Sequence, residues 1–406
     1  MKKKKKNNLA YFNKWLLFLF VLLLPTQLGK HFFFDFSYIS GVRVDYLAPT
    51  IYLTDILVGI IAIINIKHIY NFFKSKKILI LIFLLLINIL TSLSKPLAIY
   101  SFIKIIEFLI IFAVFKKVKI SAKSILYALF IGALTTLFLS ILQFVSKHSI
   151  QGIFYFLGER YFTFSTYGIA KATINSIAFL RPYASFSHPN SLSGFYLLIY
   201  TLILTHPLFK KSSLVKTLLL FISTILVFLS FSKIAIFTFL IINFLYILKT
   251  NKNNPCVLCK YSKIIIFLIL SIVFIQAKTD PLTIQKRLEL ILNSWNIIKE
   301  NIVFGTGIGN YLIAQKGFFS KYYVFFNQPV HNIFLLYFAE IGIIFGLLII
   351  LLFFKILKKV VLKYPFIISC VVITGFFDHY WFTLQQNILL FAVVFGLLKI
   401  KNSADS

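Results

Sequence analysis

Acidic residues are scarce in this chain. Only 11 Asp and Glu stand against 42 Lys and Arg among 406 residues, and charged residues of both signs make up 13%. Hydrophobic residues make up 60%, and the mean hydropathy is +0.92. A soluble fold cannot hide that much apolar surface, so a sizeable soluble domain is excluded. Cysteine is nearly absent, with three in all. Cys256 and Cys259 form one CxxC, and Cys370 lies in an apolar run. A structural zinc site needs four ligands, and no second pair or histidine stands near the CxxC, so no metal is expected there. These thiols read as reduced side chains of a cytoplasmic loop. No small-residue cleavage site follows the lysine run Met1–Asn8, which reads as a cytoplasmic anchor and not a signal peptide. The glycine stretch Gly305–Asn310, GTGIGN, lacks both the G-x-G-x-x-G spacing and the GK[ST] ending, so nucleotide binding is not expected. A tight turn that lets backbone approach backbone or a phosphate is the better reading.

What the chain does have is a series of apolar runs of about 18 residues or more. They are too long and too free of polar alternation for a β-barrel. The expected fold is all-α: one polytopic helical membrane domain over residues 1–406, with about twelve transmembrane helices. Spans are expected near 9–28, 50–66, 78–94, 98–115, 121–145, 190–206, 213–231, 234–248, 263–277, 332–354, 364–382 and 385–399. The short segments at 2–14, 67–77, 116–123, 210–216, 249–263, 355–363 and 399–406 hold most of the Lys and Arg, and Asp405 is their only acid. The positive-inside rule then puts these segments and both termini in the cytoplasm, and it accounts for the +31 charge without nucleic acid. Two long loops, 146–189 and 278–331, fall on the extracytoplasmic side, where long loops in a compact protein carry function. Short amphipathic helices are expected within them. An aromatic segment, HFFFDF within 30–49, belongs in the headgroup layer.

The candidate chemistry lies in these loops. In the second, Asp280-Pro281 reads as a helix start, and Ile284, Leu288, Ile291, Trp295 and Ile298 recur at helical spacing. The helix should lie on the membrane surface with Lys286 and Arg287 in its first turns. His331 follows Pro329-Val330 at the mouth of the next span. An imidazole accepts a proton near neutral pH, and a basic helix close by would make this one a candidate general base. The first loop ends in RPYASFSHPN, Arg181–Asn190. Arg181 has the fork to grip two phosphate oxygens. His188 reads as part of a helix start with Asn190 as the N-cap. Ser230-Phe-Ser232-Lys233 adds a cation between two spans. Inside the spans, Lys104 and Glu107 share a helix face and fit either a structural pair or the wall of a substrate groove. Glu340 is open to the same two readings.

Taken together, RPYASFSHPN, LSFSKIAIF, RLELILNSW with NIVFGTGIGNY, and VHNIFLLYFAEIGIIFG resemble the O-antigen ligase and O-antigen polymerase superfamily of bacterial envelope glycosyltransferases. FFDHYWFTLQQN, Phe376–Asn387, is similar to segments of some members. The resemblance implies a multi-pass protein of the inner (cytoplasmic) membrane. It implies a glycosyltransferase of inverting, metal-independent type that needs no cofactor. The donor would be a polyprenyl-pyrophosphate-linked glycan. The acceptor would be a hydroxyl of a glycan, a lipid such as the lipid A core, or a protein, and membrane lipid would surround the site. On this resemblance His331 and Arg287 are the catalytic pair, and Arg181, Lys233, Lys286, His188 and Asn190 bind substrate. A serine-arginine pair of many members is Ser232-Lys233 here, which loses the bidentate fork at that point. The absence of any D-x-D in the outer loops fits a metal-free reaction. A transporter or flippase of lipid-linked glycans is the alternative. It would place ionisable groups near the midplane and show repeated halves, whereas no internal repeat is evident and most candidate polar groups sit in loops.

The orientation can be tested by thiol labelling. Cysteines placed at Gln151 and Lys321 should react with an impermeant reagent in whole cells, and one at Lys358 should not. Labelling at Lys358 with silence at Lys321 would invert the assignment.

Overall fold

A chain in lipid must satisfy its backbone internally, and the computed structural model of this protein is mostly helical. It describes residues 2–118, 120–174, 176–211, 213–250, 272, 283–318 and 328–398. The N-terminal part holds α1 (Lys2–Leu23), α2 (Leu53–Ile64), α3 (Ile66–Phe73), α4 (Lys76–Leu90), α5 (Lys95–Lys117) and α6 (Ala122–Ser146). Next come α7 (Pro189–Thr205), α8 (Leu214–Leu229) and α9 (Lys233–Thr250). The C-terminal part adds α10 (Thr283–Glu300), α11 (Tyr311–Gln315), α12 (Ile333–Ile341), α13 (Ile343–Lys363), α14 (Pro365–Phe377), α15 (Tyr380–Thr383) and α16 (Gln385–Leu397). The expected ninth span (263–277, apart from residue 272), the Asp280-Pro281 helix start and the CxxC lie outside the described residues.

Helix α7 is the axis of the core. Every residue from Pro189 to Ile203 is buried, and it packs against α8, α9, α14 and α16. A helix that is apolar all round must be enclosed on all sides. The peripheral helices turn large apolar side chains outward, such as Phe83 and Leu90 on α4 and Leu347 and Leu351 on α13. Such faces suit lipid, not water.

Two helices, α5 and α6, are each long and apolar enough to cross a membrane. The pairs α2–α3, bent by 88°, and α12–α13, bent by 111°, pass the same test together. The structure therefore supports two to four spans, and the figure of about twelve stays an expectation from hydropathy. Two expectations need correction. The run 332–354, read as one span, is broken at Gly342, whose φ of +84° ends α12 and starts α13 in a new direction. The first long loop holds a 3-10 turn at Gly152–Leu157 and an antiparallel hairpin, not an amphipathic helix. The hairpin pairs β5 (Lys171–Ile174) with β6 (Ile177–Leu180); its β-branched and aromatic residues favour a pleated ladder. Four further short strands in 29–52 also pair two by two.

The break at Gly342 is stable because another segment satisfies its loose backbone ends. Helix termini leave carbonyl and amide groups unpaired. Here the Ala339 and Glu340 carbonyls accept from Thr306 N (2.9 Å) and Gly307 N (3.0 Å), while Ile343 N donates to Ile302 O (2.7 Å). The glycine turn thus lets backbone approach backbone. A Cβ on Gly305 would overlap Glu340, and one on Gly342 would overlap Val303. Asn88 of α4 locks the joint from behind. Its Nδ2 donates to the carbonyls of Phe304 (2.6 Å) and Glu340 (2.9 Å), and its Oδ1 accepts from Ile308 N (2.9 Å).

Leaving one buried backbone group unpaired costs about 1–3 kcal/mol. Asn88→Leu should therefore lower the melting temperature of the purified protein clearly, while Thr91→Ala, at an exposed position one turn away, should barely change it. Equal melting temperatures for Asn88→Leu and the parent chain would show that the joint holds without this side chain.

Candidate active site

Hydrogen bonds and an ion pair bring together the segments before α7, between α8 and α9, before α12 and after α14. The cluster there starts from Arg181, which follows β6. Gln143, near the end of α6, sets this segment in place: its Oε1 accepts from Tyr183 N (3.0 Å) and Ala184 N (2.7 Å). Arg181 is buried, and its guanidinium spends Nε on the Ser230 carbonyl (2.8 Å) and Nη2 on Asn190 Oδ1 (2.6 Å). Among the described residues its Nη1 has no protein partner. Burial lowers the Arg181 pKa to about 10, with the Tyr183 and Asp378 side chains opposing and Arg287 adding to the fall, so it stays charged at neutral pH.

Asn190 passes the connection on. Its Nδ2 donates to Asp378 Oδ2 (2.8 Å). Asp378 closes α14 in an extended conformation, and its Oδ1 also accepts from His379 N (2.8 Å). That same oxygen lies 3.5 Å from His331 Nδ1. Burial would raise the Asp378 pKa, but the contact with His331 outweighs it and holds the carboxyl below its ordinary range.

His331 is carried to this point by the turn around it. Asn332 N donates to Val330 O (2.7 Å), which makes His331 the centre of a three-residue turn. Asn332 then caps α12, accepting from Phe334 N and Leu335 N, and donates Nδ2 to Phe376 O at the end of α14 (3.1 Å). Two consecutive residues, His331 and Asn332, thus face the same helix end. The His331 side chain is 17% exposed. Its Nδ1 is buried and has no hydrogen bond among the described residues. At 3.5 Å the pair is at ion-pair distance, longer than a strong hydrogen bond.

The remaining expected residues are placed as follows. Arg287 lies half-buried on α10, near enough for its charge to lower the pKa of both Arg181 and His379. Lys286 is half-buried beside it in sequence. Lys233 is exposed in the first turn of α9, just beyond the Ser230 carbonyl that Arg181 holds, and takes no part in the cluster's hydrogen bonds. The helix start is corrected: His188, not Asn190, is the N-cap of α7, with Nδ1 accepting from Asn190 N (3.1 Å). Pro189 at the first helical position fixes the start there, which frees the Asn190 side chain to bridge Arg181 and Asp378. Asp378 and His379 were missed as site residues. The motif FFDHYWFTLQQN contains them, and its polar residues are bonded in turn: Gln386 Nε2 donates to Ser185 O (3.1 Å) and Asn387 Nδ2 to Ser191 O (3.2 Å).

A cavity of about 650 Å³ opens beside the cluster, with Tyr46 and Thr383 on its wall. Tyr46 packs edge-on to the His379 ring, and Thr383 Oγ1 lies 2.7 Å from His379 Nδ1. Its lining mixes apolar residues, among them Leu85, Phe108 and Phe391, with polar ones, among them Lys104 and Gln385. Lys104 pairs with Asp55 (2.5 Å) more closely than with Glu107 (3.4 Å), and Gln385 bridges the two carboxylates (2.6 and 2.9 Å). Lys104 therefore lines the cavity while it is ion-paired, and Glu107 is not part of the cavity wall.

Compared with models of known families, residues 218–351 match the one described as O-antigen ligase. The match supports the O-antigen ligase superfamily that the motifs resemble. The match covers residues 218–351 and so less than half of the chain. Lys233, Lys286, Arg287 and His331 lie inside the matched segment; Arg181, His188, Asn190 and Asp378 lie outside it. No curated protein and no solved structure gives a significant match.

Two neutral histidines give the cluster a pH dependence. Burial first, then the Arg181 charge, lowers His188 from 6.5 to about 3. Burial likewise lowers His379 to about 3, against the pull of Asp378. Between these limits the unfolded chain binds more protons than the folded one, so this stabilisation is complete above about pH 6.5 and is lost as pH falls toward 3. Asp378, with a lowered pKa, adds loss in the same direction below its ordinary range. The melting temperature should fall on acidification from pH 7 to 4, and a His188→Gln/His379→Gln chain should show a flatter profile. Identical profiles for the two chains would separate these histidines from acid sensitivity.

Proposed function

We propose that this chain, whose residues 218–351 match the O-antigen ligase family, transfers a glycan from polyprenyl pyrophosphate to an acceptor hydroxyl on the extracytoplasmic face. The observation that carries this reading is His331 set against a buried Asp378 that Asn190 and Arg181 hold in place. With Asp378 on the Nδ1 side, the imidazole keeps its proton on Nδ1 and offers Nε2 as the base. Substrate binding closes the 3.5 Å gap, since catalytic hydrogen bonds tighten in the loaded enzyme.

In the proposed reaction the acceptor hydroxyl gives its proton to Nε2 of His331 as its oxygen attacks the anomeric carbon of the donor. The bond from that carbon to the pyrophosphate oxygen breaks, and polyprenyl pyrophosphate leaves with the electron pair. Attack opposite the leaving group inverts the anomeric centre. Negative charge grows on the leaving pyrophosphate, where Arg287 and the Nη1 of Arg181 would meet it. No metal or cofactor is assigned a step. Lys233 and Lys286 would add a positive field for the donor. His188 and Asn190 act by holding Asp378 and Arg181. The cavity at Tyr46 and Thr383, lined by both apolar and polar residues, fits part of an amphiphilic substrate.

A positioned general base contributes about 10²–10⁴-fold in rate. In a purified assay with a polyprenyl-pyrophosphate glycan and a panel of acceptors, His331→Ala should lose activity on that scale with donor binding retained. Asp378→Asn should lose activity through kcat, and Arg287→Lys should be impaired although its charge remains. Full activity in His331→Ala removes it as the base. Uptake of lipid-linked glycan into vesicles without transfer would favour a transporter.

A further inference from the structure

The base pair has a third neighbour that the transfer reaction does not use. A ring nitrogen of His379, His331 Nδ1 and a carboxylate oxygen of Asp378 all lie within 4.8 Å of one another. The His331 and His379 ring centroids lie 5.2 Å apart, with the rings tilted by 42°. Asp378 and His379 are buried, and His331 opens toward the cluster. We propose that His331, Asp378 and His379 bind a divalent transition-metal ion of the zinc type, and that its occupancy switches transfer off.

Two observations point to a metal beyond the residue types. The first is spacing. Ligands at about 2.0–2.2 Å from a tetrahedral zinc stand about 3.4 Å from each other, and His331 Nδ1 stands 3.5 Å from Asp378 Oδ1. That gap is long for a direct hydrogen bond and right for two edges of a coordination sphere. The second is the buried His331 Nδ1, which has no hydrogen-bond partner among the described residues. The outer contacts fit as well. Asn190 Nδ2 holds the far oxygen of Asp378, and Thr383 Oγ1 binds His379 Nδ1, as partners that orient metal ligands do. Two imidazoles and one carboxylate select zinc-type ions over magnesium or calcium.

Occupancy would be inhibitory because the ion takes the atoms that the base needs. The ion takes the Nδ1 lone pair, so the single N–H proton of the neutral His331 ring moves from Nδ1 to Nε2 by exchange through solvent, and no lone pair faces the acceptor. Asp378 is withdrawn from the imidazole at the same time. The inhibition rests on the proposed role of His331; the binding does not.

The test uses the full chain in detergent, in a Cys256→Ser/Cys259→Ser background so that the thiols of the CxxC do not bind the probe. Co2+ should give the visible absorption of a tetrahedral site, and Zn2+ should displace it. His379→Gln keeps the backbone bond to Asp378, and should lose the Co2+ absorption, as should Asp378→Asn. His188→Gln, outside the three ligands, should keep it. In the transfer assay Zn2+ should inhibit and a chelator should restore activity. His379→Gln should then need about 10–100-fold more Zn2+ for the same inhibition, at least the penalty of losing an outer-shell partner. Co2+ absorption that survives in His379→Gln overturns the site. Activity abolished by chelator alone overturns the inhibitory role, since the ion would then be required. Metal bound as described by a chain that transfers no glycan upholds the site and discards only the transferase reading.

Discussion

A buried guanidinium must be hydrogen-bonded, because taking an unpaired charge out of water costs several kcal/mol. Arg181 meets that demand with partners from two other parts of the chain, the Ser230 carbonyl between α8 and α9 and the Asn190 amide in the first turn of α7. The position of Asn190 then determines that of Asp378, and through it the end of α14. Three parts of the chain, at residues 181–190, 230 and 378, are thus placed by one cation. The arrangement is also directional. Nε and Nη2 are committed to the protein, which leaves Nη1 as the part of Arg181 available to a ligand.

Around this cation the histidines divide into two kinds. His188 and His379 sit where burial and nearby positive charge keep them neutral, so each serves as a fixed acceptor or a packing surface. His331 sits in a turn at the edge of the cluster, with its Nδ1 toward the carboxylate and its ring partly exposed. Position in the fold, more than residue type, separates the residue suited to moving a proton from its two neighbours.

Much of this was legible in the sequence, and what was not has physical causes. His331, Arg181 and the glycine turn stood out because polar or glycine residues at the ends of apolar runs need a reason to be there. Residues 283–300 form the expected helix, since apolar residues at helical spacing over that length have few alternatives. Asp378 was one acid among several, and nothing local marks it: its partner Asn190 is 188 positions away. Asn190 looked like a cap because Asn near a helix start usually is one, yet the cap is taken by the imidazole two residues earlier. The break in 332–354 left no proline to announce it. Gly342 lies in a run that is apolar apart from Glu340, and the docking of 301–307 onto the two helix ends satisfies the backbone at the bend. The hairpin in the first loop was hidden because four-residue strands are too short for alternation to show.

The mutual contact of Gly305 and Gly342 has a consequence for how such a chain can evolve. A side chain added to Gly305 would enter the space of Gly342, and one added to Gly342 would enter the space of Gly305. Both also have positive φ, so neither can accept an ordinary residue even if the other yields. No sequence of single tolerated steps leads away from the pair. A lineage that abandons the bend must first lose the docking segment by deletion or rebuilding, whereas the helices on either side can drift freely in composition so long as they stay apolar. The joint under His331 should therefore be among the slowest parts of the chain to change, although its residues carry no reactive group.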